Sequence, residues 1–451
     1  MQKVTIIGGG LAGCEAAWQI ARQNFKVELF EMRPTKMTGA HATANLAELI
    51  CSNSLGSQLN DRPSGVLKNE LHRLGSMLMD CAQKSILPAG GALAVDREMF
   101  SALVTEKITS HPNITVIREE VTQIPDGPVI IASGPLTSPP LTAAIQSIAG
   151  MDYLFFFDAV APIVTVDSID MNKAFRGSRY GRGEQNDGDY INCPLDHEQY
   201  EQFILALREA KRIDLPEFDK PVEQGVNAGN RSFFEGCLPI EVLAARDLQS
   251  LAFGPMRPVG LKNPHTERGA SAVLQLRQEN LAASLYNLVG FQTNLLFSEQ
   301  KRIFRMIPGL ENAEFVRYGQ MHRNTFISSP HLLHPTLQFK QQENLFFAGQ
   351  LIGVEGYMGN IATGLLAGLN MVQFLRNKPL YEFPPTTMLG SLCRYITQTD
   401  PQHFQPMKAN FGILPDLDPS IMGKRHRARA FAQRAITSLE VYLCENAVEI
   451  S

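Results

Sequence analysis

Gly8-Gly-Gly10-Leu-Ala-Gly13 follows directly on the apolar run Val4–Ile7 and opens a helical stretch from Leu11 to about Gln23. A GxGxxG turn in that setting, answered by a second apolar run Val27–Phe30 and by Glu31 at its end, is the grammar of a β-α-β nucleotide-binding unit. The glycines have separate physical jobs. Gly8 permits the tight turn, Gly10 lets the backbone approach a pyrophosphate, and Gly13 lets helix and strand pack closely. Gly9, Leu11 and Ala12 complete the loop, and the helix N-terminus favours the negative charge of a phosphate there. Glu31 is placed to accept hydrogen bonds from a ribose hydroxyl.

The motif alone does not separate NAD from FAD, but its place in the chain favours FAD. It lies at the extreme N-terminus, while a strand Asn344–Ala348, ending at Gly349, returns far down the chain, and there is no second GxGxxG. That layout suits a flavin with its adenine end on the first unit and its ring held by late segments, here Gly349, Gln350 and Tyr357. Ile114–Ile117 and Val129–Ser133 read as further strands of the same sheet. The expected fold is α/β: a doubly wound, Rossmann-like FAD-binding domain, discontinuous, with an inserted α+β domain. Residues 1–150 form its first part. Between 151 and 330 the texture changes to short alternating runs broken by Gly, Pro and Asn, and this is the inserted substrate domain. Residues 331–451 bring the return segment, with helical periodicity over Ala362–Leu375, and a final helix Lys424–Leu443.

Composition limits the remaining classes. The 451 residues are 44% hydrophobic and 19% charged, which is ordinary for a globular protein and excludes disordered and fibrous classes. The net charge is −4, so a polyanionic partner must be met by local patches. Two are visible, at Arg176, Arg179 and Arg182 and at Lys424, Arg425, Arg427 and Arg429. The most apolar stretch, Tyr153–Val166, is interrupted by Asp158 and Pro162 and falls short of the roughly 20 residues of a membrane span. With no leader-like N-terminus, a cytoplasmic protein without a membrane partner is expected. Seven cysteines, at 14, 51, 81, 193, 237, 393 and 444, include no CxxC pair and no metal-type spacing, so reduced thiols and no metal are expected.

Longer blocks carry a more specific signal. Phe30-Glu-Met-Arg-Pro34, Ala47-Glu-Leu-Ile-Cys-Ser-Asn-Ser-Leu55, Pro88–Arg97, Phe233-Phe-Glu-Gly-Cys-Leu-Pro-Ile-Glu241, Phe253–Leu261, Gln275-Leu-Arg-Gln278, Arg317-Tyr-Gly319, Met321–Phe326 and Phe347-Ala-Gly-Gln350 span nearly the whole chain. In these stretches the chain resembles the folate- and FAD-dependent tRNA (uracil-5-)-methyltransferase family. It departs from that family at Met358-Gly-Asn360, where relatives commonly carry Val-Glu-Ser, and at Lys408, where Asn is usual.

The resemblance implies methylation of C5 of a uridine in tRNA, with the T-arm uridine 54 as the usual target. The carbon comes from 5,10-methylenetetrahydrofolate, FAD carries it, and NAD(P)H is the reductant. Uracil C5 is a poor nucleophile, and addition of a thiolate at C6 makes it an enolate carbon. Cys51 and Cys237, inside matched blocks, are the candidates for that attack and for removal of the C5 proton. The residues leave their order open, with a slight preference for Cys237 as nucleophile. Tyr357 is a candidate to stack on the flavin ring, Asp96 and Arg97 to hold the flavin or pair structurally, and His322 and Arg323 to meet phosphate or folate carboxylate. The alternatives are the same chemistry on a ribosomal RNA uridine, or a flavoprotein modifying the wobble uridine of tRNA.

Overall fold

A computed structural model describes residues 3–38, 40–150, 154–159, 161–183, 187–213, 238–265, 269–418 and 421–448; for 154–159 and 321–325 it describes the backbone alone. Cys237 lies outside the described residues, as do the side chains of His322 and Arg323.

The N-terminal apolar run forms the strand Lys3–Ile7, in the middle of a five-stranded parallel sheet ordered Leu345–Phe347, Val129–Ile131, Lys3–Ile7, Lys26–Phe30, Ile114–Ile117. Its residues Val4, Ile6 and Ile7 are buried, as a parallel sheet covered on both faces requires. The late strand reaches the sheet beside Val129–Ile131, so residues from both ends of the chain share one core. The helix Leu11–Ala21 leaves the glycine turn and packs against the helix Tyr357–Leu375. Small residues set their approach. A Cβ at Gly364 would lie 2.3 Å from the Ala12 carbonyl oxygen, and one at Gly368 would lie 2.9 Å from that of Ala16.

Tyr357–Leu375 starts earlier than the expected Ala362, because Gly356, at φ +80°, ends the preceding segment and frees the following residues to wind. Gly359 looks like a breaker in the sequence, yet it lies inside the helix where a Cβ would meet Val354 Cγ1 at 2.3 Å. By length and hydropathy this helix passes as a membrane span, but almost all of it is buried inside the protein.

A second core collects Val164 to Ala313 around a six-stranded antiparallel sheet, ordered Phe175–Gly177, Tyr190–Leu195, Ala272–Gln278, Leu285–Leu288, Ile163–Thr165, Phe315–Arg317. The chain enters this region along Leu154–Ala159 and leaves it along Met321–Phe326, and those two segments pair as an antiparallel ribbon.

The strand Ala272–Gln278 is buried along its whole length. Ala272, Leu274 and Leu276 face the second core, while Gln275, Arg277 and, just beyond, Glu279 share the opposite face. That polar face looks toward the N-terminal part of the chain.

Candidate functional site

The glycine loop shows which of its residues serve packing and which leave room. Gly8 has φ +111° and a Cβ there would meet the Ala132 carbonyl oxygen at 2.5 Å. A Cβ on Gly13 would fall 1.8 Å from the Gly8 carbonyl oxygen. Around Gly10 nothing lies within 4 Å, so the backbone there faces open space. That space is a cavity of about 1000 Å³, part of it continuous with solvent. Gly8, Gly9, Gly10, Leu11, Ala12, Glu31, Gly349, Gln350 and Tyr357 all line it. Gly13 does not; it sits beneath the loop against Gly8.

Glu31 is buried and fully engaged. Its Oε2 accepts from the Gly9 N–H at 3.1 Å and from Arg33 Nη2 at 3.2 Å, and its Oε1 from Arg33 Nε at 2.9 Å and the Arg33 N–H at 3.0 Å. Burial works against the charge, but the Arg33 hydrogen bonds and guanidinium outweigh it and hold the carboxyl below its usual range. Arg33, 2% exposed, continues to Glu48 at 3.0 Å. Four donors fill the carboxylate, so a ribose hydroxyl at Glu31 has to share an oxygen with Arg33. Arg33 is the residue at this end that sequence reasoning passed over, and its signal was a charged side chain three positions beyond the strand Lys26–Phe30.

At the other end of the cavity, Tyr357 occupies the first turn of its helix. Its hydroxyl oxygen accepts from the Cys51 N–H at 2.9 Å and the Ser52 N–H at 3.0 Å, across more than 300 residues of chain. Burial, then the neighbouring Cys51, pushes the phenol far up, so it stays neutral. Asn360, one turn on, also lines the cavity and is buried with no partner for its Oδ1. Gln350 donates to Glu355 at 3.1 Å and the Gly349 N–H to Thr363 at 3.0 Å, which fixes the loop between the late strand and this helix.

Cys51 is partly exposed, next to Ile50 on the cavity wall. Three guanidinium groups converge on its loop. Arg97 donates to the Leu49 carbonyl at 2.8 Å, Arg317 to the Ile50 carbonyl at 2.8 Å, and Arg277 to Asn53 Oδ1 at 2.8 Å. Asn53, wholly buried, donates in turn to the Gln278 carbonyl at 2.9 Å. Glu279 forms an ion pair with Arg97. Arg277 and Arg317 interact electrostatically with Cys51, while Arg97 is paired with Glu279. Asp96, by contrast, caps the helix Arg97–Ser110 and accepts from the Leu281 N–H at 2.8 Å, a structural duty.

The other described cysteines are poor candidates for nucleophilic work. Burial, the largest cause in each case, raises Cys14, Cys193 and Cys393 far above the ordinary thiol range and Cys81 to about 11. Cys444 is exposed on the last helix. Among the described residues no group of three or more His, Cys, Asp or Glu has the arrangement of a metal site.

The model of the family described as Glucose inhibited division protein A matches residues 3–379. A methylenetetrahydrofolate–tRNA-(uracil-5-)-methyltransferase of Heliobacterium modesticaldum is 54% identical, covering 99% of both chains. The enzyme of that name from Enterococcus faecalis is 53% identical over 96% of this chain and 97% of its own. The chain belongs to the family of these methyltransferases. Among solved structures, GidA from Aquifex aeolicus superposes with a TM-score of 0.69 at 17% identity, covering 98% of this chain and 74% of that one, and so shares its fold. Membership of this family matches the resemblance read from the cysteine and glycine blocks.

Proposed function

We propose that the protein methylates C5 of a uridine in tRNA, taking the carbon from 5,10-methylenetetrahydrofolate with FAD as cofactor and NAD(P)H as reductant, and that the uridine is position 54 of the T-arm. The observation that carries this reading is a cavity that runs from an open glycine loop to Ile50 and Tyr357, where Tyr357 clamps the arginine-held cysteine loop. The division of the chain at 150 and 330 into a cofactor-binding part and an inserted substrate part belongs to the same proposal.

The residues fit FAD. Gly10 leaves space for a pyrophosphate at a helix N-terminus. The orphaned Oδ1 of Asn360, beside Gly349 and Ala12, gives a buried polar group awaiting a partner in the cavity. Gly8, Gly9, Gly10, Leu11 and Ala12 would hold the phosphates, Glu31 the ribose, and Gly349, Gln350 and Tyr357 the ring end. When bound and reduced, FAD supplies electrons and carries the one-carbon unit.

The chain's own residues prepare the uridine. One thiolate, of Cys51 or Cys237, forms a bond to C6, and the electron pair of the C5–C6 bond moves to make C5 nucleophilic. After C5 has gained carbon, the second group takes the C5 proton, and the sulfur leaves C6 as the double bond re-forms. Arg277 and Arg317 support Cys51 as a thiolate in either role. Tyr357 keeps the loop in place by accepting two backbone N–H groups, and Arg97 and Glu279 brace it from the other side.

Nucleoside analysis of unmodified tRNA, incubated with the protein, methylenetetrahydrofolate and NAD(P)H, tests this directly. We expect 5-methyluridine in the T-arm. A product confined to the wobble position or to ribosomal RNA overturns the assignment. RNA carrying 5-fluorouridine at the target traps a covalent adduct, and the trapped cysteine is the one that attacks C6.

A further inference from the structure

The inserted region carries a second cleft, of about 890 Å³, lined by Ser178, Tyr180, Gly183, Asp187, Gly260 and Lys262 among others. Its most unusual member is Tyr180. The residue has φ +58°, a left-handed conformation that a bulky side chain rarely adopts, and it is held there by its N–H donating to the Gly260 carbonyl at 2.8 Å. The ring is 62% exposed. One face lies so close over Gly260 that a Cβ there would meet Cζ at 2.9 Å, and the Arg182 guanidinium stands 5.8 Å from the ring centroid. A large aromatic ring is thus fixed in solvent by backbone strain and by a glycine that makes room for it.

The charges around it sort into two sets. Arg179 is anchored, donating to Gln275 Oε1 at 2.8 Å and to the Val259 carbonyl at 2.8 Å. Arg176 reaches the Tyr286 hydroxyl at 3.2 Å and the exposed Asp187 at 3.6 Å. Lys262 lines the cleft and Arg182 stands over the Tyr180 ring, and among the described residues no carboxylate forms an ion pair with either. Asp189 is buried and accepts from the Gly90 N–H at 2.5 Å, so Asp187 is the carboxylate lining the cleft. The strand Ala272–Gln278 links this cleft to the cysteine loop. Gln275 holds Arg179, and two residues along the same face Arg277 holds Asn53. The link is a buried chain of hydrogen bonds that fixes the cleft and the cysteine loop to one strand.

We propose that Tyr180 is the platform on which one unpaired base of the bound RNA substrate stacks, with Arg182 and Lys262 taking the adjoining phosphates. The inference rests on the methyltransferase reading and names how its substrate is gripped. Chemistry at C5 and C6 needs the target base out of its stack, and a neighbouring base then needs a new surface. An exposed, pre-positioned ring with cationic neighbours suits that role.

The test measures binding of unmodified tRNA to the full-length, FAD-loaded protein over a range of salt. Tyr180→Ala should raise Kd by about five-fold to a hundred-fold, the loss of one base–aromatic stack, without changing the salt slope. Tyr180→Phe should bind like the wild type, and Arg182→Ala should lower the slope by about one. Bound FAD, read from its absorbance, reports that each variant is folded. Equal binding by the wild type and Tyr180→Ala overturns the platform, and so does equal weakening by Ala and Phe. Methylation is scored separately: a wild type that binds through Tyr180 yet leaves every uridine unmethylated sinks the methyltransferase reading and leaves the platform standing.

Discussion

Gly10 and Gly13 lie in the same motif but answer to different constraints, and that difference is open to measurement. A Cβ on Gly10 meets nothing, whereas one on Gly13 falls into the Gly8 carbonyl. Gly10→Val should therefore give a folded, colourless protein, because the side chain occupies the place of the pyrophosphate. Gly13→Ala should be unstable before any cofactor is considered. Thermal unfolding of the two apo-proteins separates the cases, and equal destabilisation would refute the distinction. Tyr357→Phe removes the acceptor of two N–H groups at Cys51 and Ser52. Leaving such donors unmatched costs about 1–3 kcal/mol each when they are buried. We expect this variant to keep FAD yet lose most methylation, with the Cys51 loop more open to alkylating reagents; an unchanged alkylation rate would show that the hydroxyl does not hold the loop.

Helices carry their own titrations. The helix Pro63–Arg73 holds two buried groups of opposite type. Glu70 accepts from the Met388 and Leu389 N–H groups at 2.7 and 2.8 Å, at the start of the helix Met388–Gln398, and burial raises it to about 7. Lys68 donates to the Leu55 and Ser57 carbonyls at 2.6 and 3.0 Å, and burial lowers it to about 7. Between its ordinary value of 4.5 and about 7, Glu70 binds more proton folded than unfolded, so its contribution to stability falls as pH rises. Between about 7 and 10.5 the unfolded chain binds more proton at Lys68, so stability rises. The pair should give a shallow minimum near neutrality. Glu70→Gln should remove the acid limb and Lys68→Met the alkaline one in melting curves taken from about pH 5 to 9. The last helix, Lys424–Glu445, begins with exposed Lys424, Arg425, Arg427 and Arg429. Replacing these four by Ala should flatten the salt dependence of tRNA binding, and an unchanged slope would mark them as a solvated face.

The same scale explains what the sequence made legible. The β-α-β unit and the late strand were readable because their signals are local: apolar runs, turn glycines and one acidic residue. The start of Tyr357–Leu375 was missed because Gly359 looks like a breaker until Val354 is seen packed against it. The cysteine loop was visible, but its surroundings were not. Arg277 and Gln275 alternate with leucines and read as a half-exposed strand, whereas every residue of Ala272–Gln278 is buried. Only the folded chain shows that Asn53 and Arg277, distant in sequence, share a hydrogen bond.

For the whole molecule, the polar face of that strand binds the inserted region to the cysteine loop through Arg277 and Asn53 and through Glu279 and Arg97. The GxGxxG motif occurs once, so no second nucleotide-binding unit of that type is expected for a nicotinamide. NAD(P)H and folate should therefore use the cavity at the glycine loop in turn, and folate analogues should compete with NADPH in flavin reduction. Strictly non-competitive inhibition would require separate sites. The ribbon of Leu154–Ala159 and Met321–Phe326 has one more consequence. Paired antiparallel residues stand about 5 Å apart, so everything between them begins and ends at almost the same point in space. To the rest of the chain the insert is a single oversized hairpin tip. Its outer loops should tolerate lengthening or exchange without shifting the strands that flank it, provided that Arg277, Glu279 and Arg317 keep their contacts with the cysteine loop.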